Sequence, residues 1–217
     1  MNDGDQNSKL AVVYTLSAMA LFGLIDNFMR LVAETGGLWQ FHLMRSVTAL
    51  GILVIAAAVL KIELRPKRPA RVLGRTFFAT MAMLVYFGCL GSMPIAQAVA
   101  GLFTAPIFVV IFSMIFLRET IGSRRGFAVL LGFFGIILVL RPDAQGLGAM
   151  TFLPILAGAF HAIGIIMTRR WCAAEGTLSL LAVFFGFMLV IGGIGTLMMG
   201  HLVTDPPAGA AGFVFRG

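Results

Sequence analysis

Seven runs of about twenty predominantly apolar residues follow one another with mostly short polar breaks, and no other feature of this chain constrains its fold as strongly. They cover residues 10–33, 38–60, 73–93, 95–117, 122–141, 150–170 and 177–199. Each is long enough to cross the hydrocarbon core of a bilayer as a helix. Charged residues make up 12% of the chain and hydrophobic ones 59%. A soluble domain carries about 25% charge, so this chain cannot cover its surface with polar groups and water is the wrong solvent. The runs are continuous rather than short and alternating, which argues against a β-barrel. The expected fold class is an all-α polytopic membrane protein with seven transmembrane helices. The first run is no cleavable signal: its flank is acidic (Asp3, Asp5), it is too long, and no small-residue cleavage site follows it.

The net charge of +7 raises the possibility of a nucleic-acid partner, and the distribution of bases argues against it. With the N-terminus in the cytoplasm, Lys9, the 61–75 loop, Arg118, Arg124, Arg125, Arg169 and Arg170 all fall on the inner side. That group holds twelve of the sixteen Lys and Arg residues. The asymmetry follows the positive-inside rule, and the basic balance is topological. The sequence therefore predicts an integral protein of a bacterial cytoplasmic (inner) membrane, with the lipid bilayer as partner and no nucleic acid. The 61–75 loop, "KIELRPKRPARVLGR", reads as a topology signal near anionic headgroups. Cys89 and Cys172 fall on opposite sides of the membrane, too far apart for a disulfide.

Charge inside a span costs roughly 2.5–3.5 kcal/mol at the helix centre, so intramembrane charges mark substrate or ion pathways by default. Asp26 lies about seven residues, ~10 Å, below the outer end of the first span, and Arg45 lies at about the same depth in the second. Two opposite charges at one level predict a meeting inside the bundle. One reading is an interhelical clamp and the other is a substrate or ion site; apolar packing would serve a clamp more cheaply, which favours the site. Arg30 either snorkels outward or folds back on Asp26. His42, one turn before Arg45, can join the cluster, although a lone histidine is more often a satisfied core residue. The same holds for His161. Tyr86 at mid-depth needs a partner for its hydroxyl, and Gln97 stands near the outer mouth. Glu119, beside Arg124 and Arg125, reads as a local electrostatic and capping group.

Neighbouring spans should pack as antiparallel hairpins. Ser92 can cap the fourth helix and Pro94 suits its first turn. Ser92, Ala96, Ala100 and Thr104 recur every four residues, a spacing that lets another helix approach closely. Pro106 removes a backbone hydrogen bond in mid-span and predicts a kink. "LFGLIDNFMRLVAETGGLW" and "AFHAIGIIMTRRWCAAEGTLS" form a weak internal repeat, and five spans separate the copies. An odd number puts the second copy through the membrane the opposite way, the arrangement of inverted-repeat secondary transporters.

These residues resemble the EamA-domain transporters of the drug/metabolite transporter superfamily over nearly the whole chain. The most specific stretch is "LGSMPIAQAVAGLFTAPIFVVIFSMIFLRETIGSRRGFAVLLGFFGIILVL", residues 90–140. It is similar to the family's fourth and fifth spans, with small residues before Pro106, an apolar run to Glu119, a basic turn and a Gly-rich helix. "LFGLIDNFMRLV" followed by "WQFHLMRSVTALGIL" resembles a subgroup with an Asp and a base in the first span and an Arg in the second, although that base is often Lys where this chain has Arg30. The resemblance implies ten helices in two inverted five-helix repeats, a cavity between the halves, and alternating access without ATP hydrolysis. Similar members move S-adenosylmethionine, riboflavin, amino acids and other metabolites. The expected division is a tail at 1–9, a first repeat at 10–141, and part of a second at 150–217. The chain ends where the family enters its eighth span, and it is read as a partial one.

The function expected is secondary transport of a small polar metabolite, with a coupling proton as a candidate partner. The alternative is a seven-helix receptor or a non-transport scaffold. A retinal receptor needs a lysine in its last span, whereas the lysines here are Lys9, Lys61 and Lys67. No cofactor is expected, and nothing in the sequence sets an oligomeric state. An enzyme is not expected either, because no clustered nucleophile and base and no metal-ligand spacing is present.

Overall fold

In the computed structural model, which describes residues 3–118, 122–140 and 149–216, eight helices follow in order. They are α1 (Asp3–Thr35), α2 (Leu38–Leu60), α3 (Pro69–Ser92), α4 (Ile95–Leu102), α5 (Ala105–Leu117), α6 (Ser123–Leu140), α7 (Leu153–Trp171) and α8 (Thr177–Leu202). No strand occurs among the described residues. Glu119 and Arg141 lie outside them.

Local chemistry sets several helix ends. Lys61 and Arg118 close α2 and α5 in the left-handed conformation, at φ 53° in each case. Their N–H groups donate to Ala57 O and Ser113 O, and each places a cation where the helix dipole is negative. Pro69 opens α3 at a position whose N–H would have no helical partner. The preceding amides of Lys67 and Arg68 donate instead to the two carboxylate oxygens of Glu175, both at 2.8 Å. Ser92, read above as a cap for α4, turns back to accept no such role: its hydroxyl donates to Cys89 O at 3.2 Å and belongs to the end of α3. Pro94 precedes α4 without a side-chain cap.

Pro106 divides the fourth span rather than bending it. A proline ring clashes with the carbonyl four residues back, here that of Leu102, and α4 ends at that residue. Phe103 and Thr104 form the link, with Thr104 donating through N–H and hydroxyl to Gly101 O at 3.0 and 2.6 Å. Pro106 then stands in the first turn of α5.

Hairpin packing of neighbours does not describe the first two helices. α2 lies along α8, whereas α1 meets chiefly α3 and the 3-10 turn Gly209–Gly212. Glycine makes the α2–α8 approach possible: a Cβ on Gly192 would stand 2.8 Å from Leu43 N, and one on Gly195 would enter the Trp39 ring. α3 packs on α7 and α8, and α7 also receives α4 and α5. There Gly101 faces Pro154 and Gly158 faces Thr104. Of the expected small-residue stripe, Ala100 and Thr104 are buried while Ser92 and Ala96 are exposed.

The 61–68 loop, the end of α5 and the α7–α8 loop share one end of the molecule. Glu175 joins the first to the third, and Arg170 donates to Phe116 O at 3.0 Å to join the second. Most of the loop bases therefore gather at one end, called here the basic end. At the opposite end Met29, Ala33, Leu38, Tyr86, Phe87, Leu90, Ala98 and Phe213 form the core. The Arg216 guanidinium closes it, donating to the carbonyls of Glu34 and Gly209 at 2.8 and 2.6 Å.

Large apolar side chains such as Val54, Ile55, Val59, Phe134, Leu138 and Leu197 are exposed, the outer surface of an integral membrane protein. Among the described residues, four stretches have the length and apolarity of a crossing: Leu38–Leu60, Pro69–Ser92, Ile95–Leu117 and Thr177–Leu202. This falls short of the seven expected. α1 and α6 offer shorter apolar stretches, Val12–Ile25 and Gly126–Ile136, and α7 ends on the charges Arg169 and Arg170.

Candidate functional site

Polar groups that a helix bundle buries without partners are the groups to question first, since each carries an unmet desolvation cost. Among the described residues they lie on α2, α3 and α8. On α2, His42 is fully buried with neither ring nitrogen hydrogen-bonded, and Arg45 has Nε and Nη2 buried and unpartnered among the described residues. On α3, Thr76 and Thr80 are fully buried and on α8 Ser179 is buried, while Thr196 is half-buried with its hydroxyl oxygen covered; none of these four hydroxyls has a partner among the described residues. The hydroxyl of Ser46 is satisfied locally, donating to His42 O at 2.6 Å.

Aromatic rings surround the Arg45 guanidinium. Its central carbon lies 5.6 Å from the ring centre of Phe41, 5.1 Å from that of Phe87 and 5.7 Å from that of Phe185. Phe41 stands one helical turn before Arg45 on α2, so their approach is intrahelical; Phe87 and Phe185 come from α3 and α8. Each ring face attracts the cation, more strongly where water is excluded. The imidazole of His42 meets Phe87 edge-on, with centres 5.2 Å apart at 90°, and Tyr86 meets Phe87 at 5.3 Å. The result is a cationic, aromatic-walled cluster with hydrogen-bond donors to spare.

A second polar region is a cleft of about 210 Å³ between α3 and α7, toward the basic end, lined among others by Arg75, His161 and Thr168.

His42 and Arg45 thus both meet Phe87, with Tyr86 next to that ring on α3, while His161 joins Arg75 in the other cleft. Gln97 stands half-buried on α4, which packs on α7 and α6. Asp26 and Arg30 are placed on α1 by the backbone, and their side chains lie outside the described residues. Sequence reasoning passed over Arg75, counted among the bases of the loop, and over Thr76 and Thr80. Two threonines four residues apart on an apolar span were the available signal.

Comparison with known proteins matches residues 9–141 to the model of the EamA-like transporter family. A protein named riboflavin transporter from Rhizobium johnstonii is 30% identical over 112 residues, covering 52% of this chain and 37% of that protein. One of the same name from Vibrio cholerae is 27% identical over 163 residues, 73% of this chain and 55% of that one. A protein named S-adenosylmethionine uptake transporter from Rickettsia bellii is 27% identical over 105 residues, 46% of this chain and 36% of its own. The chain therefore spans about half the length, or less, of these relatives. No solved structure matches it.

Proposed function

Since this chain belongs to the EamA-like transporter family, we propose that it carries part of a secondary transporter for a small polar metabolite. It contributes a first repeat of five spans, residues 10–141, and the opening two spans of an inverted second repeat. The N-terminus and the basic end face the cytoplasm, as the positive-inside rule requires for a cytoplasmic-membrane protein. Transport proceeds by rocking of one repeat against the other, without chemical conversion of the solute.

The observation that carries this reading is the Arg45 guanidinium, ringed by Phe41, Phe87 and Phe185 with Nε and Nη2 unpartnered inside the helix packing. Such a group suits a flat solute with a carbonyl or carboxylate acceptor: rings for stacking, nitrogens for hydrogen bonds. Two relatives described above are named for riboflavin and one for S-adenosylmethionine, both of which combine aromatic rings with polar groups. Asp26, at a matching depth by sequence position on α1, a helix that packs chiefly on α3 and the Gly209–Gly212 turn rather than along α2, serves as the counter-charge or the carrier of a coupling proton. His42 and Tyr86 border the solute, and Arg30, Gln97 and His161 are further contacts along its route.

The test is uptake of radiolabelled riboflavin and S-adenosylmethionine by cells expressing the complete reading frame that contains this segment. Arg45→Gln and Asp26→Asn should each lower uptake at least tenfold with normal membrane expression. Unchanged uptake in both variants refutes the site, and a soluble, non-membrane location refutes the class.

A further inference from the structure

We propose that the cleft between α3 and α7 binds an oxyanion, a phosphate group, with the Arg75 guanidinium as its anchor. The cleft shares no lining residue with the Arg45 cluster; it holds His161, proposed above as a contact on the solute's route, but the anion proposal rests on Arg75 and not on transport. Arg75 stands six residues into α3 from Pro69, ~9 Å along the helix. Its Nε donates to Thr168 Oγ1 at 2.9 Å, and that hydroxyl donates in turn to Gly164 O at 2.7 Å. The relay fixes the guanidinium by one edge and from a second helix. Nη1 and Nη2 make no hydrogen bond to any described residue.

The residues that line the cleft include bases and no acid. No carboxylate among the described residues pairs with Arg75. The neighbouring acid, Glu175, is already committed to the amides of Lys67 and Arg68. Arg169 and His161 line the same cleft, and Ala79 and Ile165 supply its apolar wall. A guanidinium held against apolar walls without a counter-charge is an expensive arrangement, and a bound anion relieves it. The two free Nη groups form the fork that engages paired oxygens of phosphate. The volume of about 210 Å³ is several times the ~30 Å³ share of a liquid water, room for a phosphate group with part of its hydration. Two sources carry that chemistry at a membrane surface: free phosphate and the headgroup of an anionic lipid.

The experiment uses the purified chain in maltoside detergent. One arm measures equilibrium binding of radiolabelled inorganic phosphate at constant ionic strength set with chloride. The other measures retention of phosphatidylglycerol by native mass spectrometry. Binding in either arm should weaken at least tenfold in Arg75→Gln, and severalfold in Arg75→Lys, which keeps charge and loses the fork. Arg65→Gln, on the exposed loop, should leave it unchanged. Saturable phosphate binding that needs Arg75 assigns the free anion, and lipid retention alone that needs Arg75 assigns the headgroup. If Arg75→Gln does not fold, Thr168→Val takes its place, because it removes the acceptor that holds Nε. Binding absent from both arms, insensitive to these changes, or equally reduced in Arg65→Gln overturns the proposal.

Discussion

Replacing Gly192 with alanine adds one methyl group where α8 crosses α2, and the surroundings of that methyl set the expected cost. Its carbon would stand 2.8 Å from Leu43 N, 3.1 Å from Trp39 O and 3.2 Å from Leu43 Cα. All three are main-chain atoms of α2, so no flexible side chain can swing away, and the helices must separate until the nearest contact reaches about 3.4 Å. Overpacking of this kind costs about 1–3 kcal/mol. Alanine also gains about 1 kcal/mol of helix propensity over glycine. The net expectation is destabilisation of up to about 2 kcal/mol. Gly186, on the same helix with nothing within 4 Å of its would-be Cβ, supplies the control. Gly186→Ala keeps the propensity gain alone. Thermal unfolding of the purified variants in one detergent should rank Gly186→Ala above the parent chain and Gly192→Ala below it. The same separation moves Phe185 away from Arg45, so ligand binding at the ringed guanidinium should weaken in Gly192→Ala only. Equal stability of the two variants would refute the close-crossing argument.

Glu175→Ala should lower stability by about 1 kcal/mol, the usual cost of a lost N-terminal cap, and hydrogen exchange should quicken at residues 67–72; Glu175→Gln should lie between. Burial pushes the Cys172 thiol above its ordinary range, with Arg75 opposing and Glu175 reinforcing the shift. A raised thiol is protonated at neutral pH, so maleimide labelling should be slow there and quicken as pH climbs past the ordinary value of about 8.5. Labelling of Cys172 as fast as that of an unfolded control at pH 7 would contradict this. Thr80→Val removes a buried hydroxyl that has no partner among the described residues and should leave stability unchanged or raise it by about 1 kcal/mol, read by thermal unfolding. Pro106→Ala restores an amide able to donate to Leu102 O, and its expected result is one continuous helix through 95–117, seen as protected exchange at residues 103–106.

Much of the helical plan was legible because apolar length and helix stops are local properties. The bounds of α2 coincide with the run of residues 38–60, and α4 and α5 together fill 95–117. α3 begins at Pro69, before its apolar run, because a carboxylate more than a hundred residues away satisfies the amides ahead of it. No periodicity encodes that. The ringed guanidinium divides in the same way: Arg45 and His42 stand out from depth and spacing on one helix, whereas the ring of Phe41 went unremarked beside them and Phe87 and Phe185 arrive through packing. Arg75 was hidden by its neighbours, since a base at the edge of a basic loop looks like every other base until a second helix supplies Thr168. Sequence adjacency also misled for α1 and α2, because glycines of α8 offer α2 a closer partner than its neighbour does.

Glu175 grips main chain rather than side chains, and that choice has a consequence for variation. The identities at 67 and 68 are free to drift, provided each keeps its amide hydrogen, so proline is the one residue barred from both. The strap between the two loops thus rests on a single replaceable atom group at one end and on universal chemistry at the other. Substitutions that erase the positive charge of the loop should leave the strap whole.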